Sequence, residues 1–232
     1  LDTTEFLTHI LPTQGYKFAV LRPAGKEFWF HRAHETVEGV AKDIAKADAK
    51  LADVFHACAS FVAPVIETQR TDGTVKKQYR TQANAGWVRA LWLDLDCGEN
   101  KGYQTQQDAL TDVVRMSEAA GLPLPTVVSS GYGLHCYWVF TTDIPAQTWV
   151  KLAALWRCVV DFYGVKHDPA CTSDICRILR PVGTHNRKHG RSSEVALIGD
   201  VQPPVSVKTF AETLVQITKS NDLSAKVATK KE

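Results

Sequence analysis

Long hydrophobic runs are missing from this chain. Nowhere in its 232 residues does an apolar stretch approach the ~20 residues needed to cross a bilayer, and no secretory apolar segment opens it. No membrane role is expected. Charge of one sign is scarce too: 27 Lys and Arg against 25 Asp and Glu leave a formal +2. That excludes a global basic field, so any surface for a polyanion must be local. The six cysteines (Cys58, Cys97, Cys136, Cys158, Cys171 and Cys176) lack the spacing of a disulfide framework. A stapled secreted fold is therefore disfavoured, and a reduced, cytoplasmic protein is expected. There is no internal repeat. What remains is an ordinary globular composition, 44% hydrophobic and 22% charged, long enough for one large domain or two small ones.

Periodicity predicts helices over 3–11 and 36–51, with a hairpin of strands Tyr16–Leu21 and Glu27–His31 between them around Pro23–Gly25. Val54–Ala63 reads as one strand ended by Pro64, and Glu67–Gly86 as a polar stretch with an Asp72-Gly73 turn. Trp87–Asp96 is an apolar strand. Thr105 is a plausible N-cap for a helix to Ala120 that Gly121 and Pro123 stop. Thr126–Ser129 and His135–Phe140 are strands joined through a Gly-rich turn. Pro145 opens a helix whose apolar positions Val150, Ala154, Leu155 and Val159 are expected to share a face, with Gly164 closing it. A short strand over Val195–Ile198 and a helix over Val207–Thr218 complete the pattern. From Lys219 the chain reads as a polar, lysine-rich tail or linker. Paired strands between helices indicate an α+β fold with a mixed or antiparallel sheet.

Three stretches point to chemistry. In LWLDLDCG, residues 91–98, alternation puts Asp94 and Asp96 on one side of a strand with Trp92, and Leu91, Leu93 and Leu95 on the other. Two like charges so placed call for a cation or a hydrogen-bond network. A lone Asp-x-Asp also occurs as a simple strand end, in sugar-nucleotide transferases and in two-metal polymerases and nucleases. Haloacid-dehalogenase chemistry is disfavoured because Cys97 stands where Thr or Val is needed.

In SSGYGLHCYW, residues 129–138, Gly131 and Gly133 permit a tight turn that delivers His135 onto a strand with Tyr137 on the same face. His135 could donate to a phosphate oxygen or be a structural histidine. In HDPACTSDICRILRPVGTHNRKHGR, residues 167–191, Asp168 and Asp174 add carboxylates beside a dense basic cluster of Arg177, Arg180, Arg187, Lys188 and Arg191. Guanidinium forks suit phosphate, although a solvated basic face has the same composition. Arg70, Lys76, Lys77 and Arg80 form a second local basic excess. His167, Cys171, Cys176 and His185 fit no standard zinc-finger spacing, so structural zinc is disfavoured.

Taken in order, these stretches resemble the three motifs of the archaeo-eukaryotic primase superfamily, and within it the primase-polymerases of phages and plasmids. The match runs from about Trp87 to Lys188. The resemblance implies a recognition-motif-like sheet as catalytic core (about 86–200) beside an N-terminal α/β module (about 1–85), with a closing helix near 207–218 and a tail over 219–232. It implies Mg²⁺ or Mn²⁺, held by Asp94, Asp96 and Asp168, with Asp174 as the rival third acid. His135 and Ser130 would meet the incoming nucleotide, and Arg177, Arg180, Asn186 and Lys188 its triphosphate or the template. Arg70, Lys76, Lys77, Arg80, Arg187 and Arg191 would hold nucleic acid.

One departure stands out: Pro181 and Val182 are in the reverse of the family's order before Gly183-Thr184. The implied function is DNA priming or polymerisation in replication, on a single-stranded DNA template with nucleoside triphosphates and a primer strand. A helicase domain or partner and a phage- or plasmid-encoded origin are further implications. The alternatives are a metal-dependent nuclease and a non-catalytic single-strand or origin DNA-binding module.

Overall fold

The computed structural model describes residues 1–223, the side chain of His189 excepted. The first part of the chain runs α1 (Thr3–Ile10), β1 (Lys17–Arg22), β2 (Phe30–His34), α2 (Val37–Asp48), β3 (Asp53–Ala57), β4 (Ala59–Phe61), β5 (Ile66–Gln69), β6 (Val75–Gln78) and β7 (Ala85–Asp96). It continues through α3 (Gln106–Ala120), β8 (Thr126–Ser129), β9 (Gly133–Pro145), α4 (Ala146–Phe162) and α5 (Pro169–Thr172). β10 (Ile178–Leu179), β11 (Thr184–Asn186), β12 (Ser193–Ile198) and α6 (Val207–Ser220) end it. The class is α+β, as the pattern predicts. Among the described residues, no helix is long and apolar enough to cross a membrane.

The chain divides into two units. The first comprises residues 1–89, 143–146 and 175–195. Its four-stranded sheet has the order β10-β3-β1-β2, all neighbours antiparallel. Val40, Ala41 and Ile44 of α2 are buried where that helix meets the sheet. The segment expected as one strand, Val54–Ala63, is two. Cys58 interrupts it by donating its N–H to the Arg177 carbonyl at 3.0 Å, so β3 joins the four-stranded sheet while β4 pairs with the start of β7. The polar stretch after it is a hairpin, β5 against β6, turned at Gly73 with φ +81°.

His31, on β2, stacks flat on Tyr79 at 5.1 Å between ring centroids, and its Nδ1 accepts from the Arg80 Nε. Burial first, then the Arg80 charge, push its pKa from 6.5 down to about 4. The folded state thus binds fewer protons than the unfolded one below pH 6.5, and stability falls as pH drops from about 6.5 toward 4. His31→Gln, which cannot titrate, is expected to flatten that part of the urea-midpoint-versus-pH curve.

The second unit comprises residues 90–142, 147–174 and those from 196 on. Here β7, β9, β8 and β12 lie side by side in that order. β8 pairs antiparallel with both neighbours, Val128 opposite His135 and Ser129 opposite Ala196. Thr105 caps α3 in a reciprocal box with Asp108, and Gly121 ends it in the left-handed region at φ +63°.

The inward face of α4 differs from expectation. It carries Trp149, Leu152, Ala153, Trp156, Val159 and Val160, whereas Val150 is exposed and Ala154 and Leu155 are half-buried. Two tryptophans decide the rotation. Trp149 stacks on Trp92 at 4.6 Å, and Trp156 meets Trp138 at 4.6 Å and Phe210 of α6 at 5.8 Å. Rings of that area dominate the burial energy over valine and alanine. α6 runs to Ser220, two residues past its expected end, and residues 224–232 of the expected tail lie outside the described residues.

Candidate active site

β7 changes character at its end. From Ala90 to Leu93 every residue is buried, then Asp94 is half-buried, Leu95 buried and Asp96 exposed. The alternation expected for the two aspartates therefore meets solvent at that end of the strand. β9 lies beside it, and the tight turn between β8 and β9 sets where β9 begins. Ser130 N–H donates to the Gly133 carbonyl at 2.8 Å across that turn, with Gly131 at φ +92°. Gln106, the first residue of α3, braces it by donating to the Ser129 hydroxyl at 2.9 Å and the Gly133 carbonyl at 3.2 Å.

Gly133 is required by space rather than by its dihedral angles. A Cβ there would fall 2.3 Å from the Leu95 carbonyl oxygen. Gly133→Ala is expected to push β9 from β7, costing about 1–3 kcal/mol as an overpacking change and lowering activity with it. Chemical denaturation and an activity assay on the same sample check this.

The turn delivers His135 opposite Asp94. The imidazole Nε2 is 3.7 Å from the Asp94 carboxylate, with the His135 side chain 6% and the Asp94 side chain 22% exposed. His135 also meets Tyr137 edge-on at 6.4 Å. Asp168 arrives from a different segment: its N–H donates to the Asp94 carbonyl at 3.3 Å, and its carboxylate caps α5 by accepting from Ala170 N–H at 2.9 Å. Asp174 sits beyond α5, its N–H on the Cys171 carbonyl at 3.2 Å. The backbone thus brings Asp168 beside Asp94.

Asp96 has another partner, Lys101, whose Nζ donates to it at 3.1 Å in the loop that follows. The two thiols nearby are inert: burial and then the charges of Asp96 and Asp108 push Cys97 up to about 11, and burial with the Asp94 charge pushes Cys136 further up.

Trp92 is not marked as a site residue by the sequence. Its indole N–H donates to the Cys171 carbonyl at 3.0 Å in a buried bond, fastening α5, and so Asp168, to the strand that bears Asp94. An indole two residues before an Asp-x-Asp is the only signal the sequence offers.

A divalent cation needs hard oxygen donors, and Asp94, Asp96 and Asp168 supply them from adjoining backbone. They fit such an ion in kind. Among the described residues no three His, Cys, Asp or Glu side chains stand grouped as a ready cage, and Asp96 is engaged by Lys101.

The basic residues belong to the first unit and divide into two sets. Arg180 is buried, bonded to Asp53 at 2.9 Å and laid over Phe55 at 4.3 Å; Arg187 is bonded to Asp48 at 2.6 Å, where His185 also donates. Burial raises the pKa of each of these acids, but hydrogen bonds outweigh it and hold both carboxyls below their ordinary value, from Arg187 and His185 on Asp48 and from Arg22 and Arg180 on Asp53. Arg80 bonds His31 and the Cys176 carbonyl, Lys77 pairs with Glu67, and Asn186 is buried in β11. Arg177 is half-buried next to β10, whereas Arg70, Lys76, Lys188 and Arg191 are exposed. Since β10 is extended, Arg177 and Arg180 do not share a helical face.

No family model matches the sequence, and no curated protein does. Solved structures do match in fold. The primase-polymerase AEP domain of cyanophage S-2L superposes with a TM-score of 0.56 at 15% identity, over 86% of this chain and 89% of that one. The catalytic domain of primase RepB′ in complex with initiator DNA gives 0.56 at 15% identity, over 99% and 100%. A longer structure of primase RepB′ gives 0.55 at 16%, over 98% of this chain and 67% of its own.

Proposed function

We propose, from a fold shared with archaeo-eukaryotic primase catalytic domains, that this chain is a template-directed nucleotidyltransferase acting as a DNA primase or primase-polymerase. One observation carries the reading: a nearly buried imidazole and a carboxylate face each other at 3.7 Å, with the Asp168 N–H on the backbone of that same aspartate.

In the reaction a 3′-hydroxyl oxygen bonds to the α-phosphorus of a nucleoside triphosphate, the bond to the β,γ-diphosphate breaks and releases it, and the hydroxyl proton passes to solvent water. Asp94, Asp96 and Asp168 would hold divalent cations, Mg²⁺ or Mn²⁺, which supply charge neutralisation for the attacking and leaving oxygens. Asp96 would have to release Lys101 to hold such an ion, which its exposed position permits. His135 Nε2, 3.7 Å from Asp94, donates to a triphosphate oxygen. Ser130, in the turn before His135, would meet the same phosphates. Arg177, Lys188, Arg191, Arg70 and Lys76 hold phosphates of the nucleotide or strands. Arg180 and Arg187 are spent on Asp53 and Asp48 and serve the fold of the first unit.

The test is labelled-nucleotide incorporation on single-stranded DNA with Mg²⁺ or Mn²⁺, offering ribo- and deoxyribonucleotides, with and without a primer. Elongated product is expected. Shortening of the labelled strand without nucleotides, and no elongation with either sugar, would replace this reading by a nuclease.

A further inference from the structure

Three consecutive large aromatics enter β2, and all three are exposed: Phe28 at 53%, Trp29 at 40% and Phe30 at 43%. Successive residues of an extended chain point to opposite sides, so no single core face could bury them together. Trp29 lies tilted against Phe55 at 5.5 Å with the Arg22 guanidinium over its ring at 5.2 Å. Phe28 and Phe30 meet edge-to-face at 5.3 Å, and Arg32 sits over Phe30 at 5.9 Å. Each ring is thus held by a neighbour, which limits the entropy lost when a ligand stacks on it. Between Arg22 and Arg32 the sequence has three cations, Arg22, Lys26 and Arg32, against one acid, Glu27. At the base of the same hairpin a cavity of about 380 Å³ is lined by Lys26 together with Arg22 and Arg187, which are paired with Asp53 and Asp48.

Exposed apolar surface of this extent marks a binding site, and cations interleaved with it select the partner. A protein partner would match both features only where its own carboxylates and apolar side chains alternate in the same pattern. A single-stranded nucleic acid matches both features, its bases stacking on π faces and its phosphates meeting the guanidinium and ammonium groups.

We propose that the Phe28-Trp29-Phe30 segment is a stacking platform for single-stranded nucleic acid, with Lys26 and Arg32 at its phosphates, while Arg22, paired with Asp53, holds the Trp29 ring in place. The proposal rests on the nucleotidyltransferase reading for its purpose, which is to hold the strand being copied. It stands or falls separately in a binding measurement.

The full chain is titrated into fluorescein-labelled oligothymidylate without metal or nucleotides, and anisotropy is read. The Phe28→Ala/Phe30→Ala double variant is expected to weaken binding by roughly tenfold or more. Phe28→Leu/Phe30→Leu, which keeps apolar bulk and removes the π faces, is expected to weaken it comparably, and it carries the test should the alanine variant fold poorly. An abasic oligonucleotide is expected to bind more weakly and not to distinguish the variants. Arg32→Gln is expected to lower the slope of log affinity against log salt by about 0.7.

Wild-type affinity in both double variants overturns the proposal. So does full affinity restored by leucine, or a lower oligomeric state of the variants in size-exclusion chromatography, which would make the patch a contact between copies. Asp94→Asn is expected to bind the oligonucleotide like wild type. Its effect on incorporation therefore reports on the catalytic reading alone.

Discussion

Asp94→Asn is expected to lower nucleotide incorporation by about a hundredfold or more while leaving the circular dichroism spectrum and melting temperature near those of the wild type. The size follows from removing a charged oxygen aimed at a site of developing charge. The fold should tolerate it, since the side chain is 22% exposed at the end of β7 and asparagine keeps its shape. Asp168→Asn should have a similar effect, and Asp174→Asn a much smaller one, because the Asp168 N–H is bonded to the Asp94 carbonyl whereas that of Asp174 is bonded to the Cys171 carbonyl. Equal losses from Asp168 and Asp174 would refute that assignment.

The largest stability change is expected from Trp149→Ala, at about 3–5 kcal/mol, the usual cost of emptying a buried aromatic site. For a chain of this length that corresponds to a fall of roughly 6–20 °C in melting temperature. Trp149 is fully buried, stacks on Trp92 at 4.6 Å, and donates its indole N–H to the Ala90 carbonyl at 2.8 Å. Both partners are on β7. Trp92 in turn holds the Cys171 carbonyl, so the loss should spread from the core to the segment that carries Asp168. Trp149→Phe retains most of the ring and gives up only the hydrogen bond and part of the stack. It should cost clearly less, and calorimetry of the two variants separates volume from hydrogen bonding.

Much of this fold is legible in the sequence where the signal is local. Thr105 and Gly121 bracket α3, Gly73 turns the β5–β6 hairpin, and the Gly-rich turn sets β9 going toward His135, each through the chemistry of a few adjacent residues. Legibility fails where a distant partner decides. Arg180 and Arg187 look like phosphate ligands because their cluster is dense, but their acids lie 127 and 139 residues away in sequence. Cys58 breaks a strand that reads as continuous because the carbonyl it serves belongs to Arg177.

The face of α4 was ambiguous for a different reason. Two apolar stripes run along that helix, and the one with tryptophans is chosen by partners on β7 and β9. At the candidate site the aspartates and histidine are visible as motif residues, whereas Lys101 on Asp96 and the indole of Trp92 on α5 are not. Neither has a spacing that announces it. Phe28, Trp29 and Phe30 could have been flagged, since three adjacent aromatics in an extended chain cannot all be buried on one side.

The most direct test of the central claim is an anomalous-scattering map from crystals soaked with Mn²⁺ and a nucleoside triphosphate. Manganese is expected within coordination distance of the Asp94 and Asp168 carboxylates, with a triphosphate oxygen in hydrogen-bond reach of His135 Nε2. Manganese absent from Asp94, or a triphosphate bound away from His135, would contradict it.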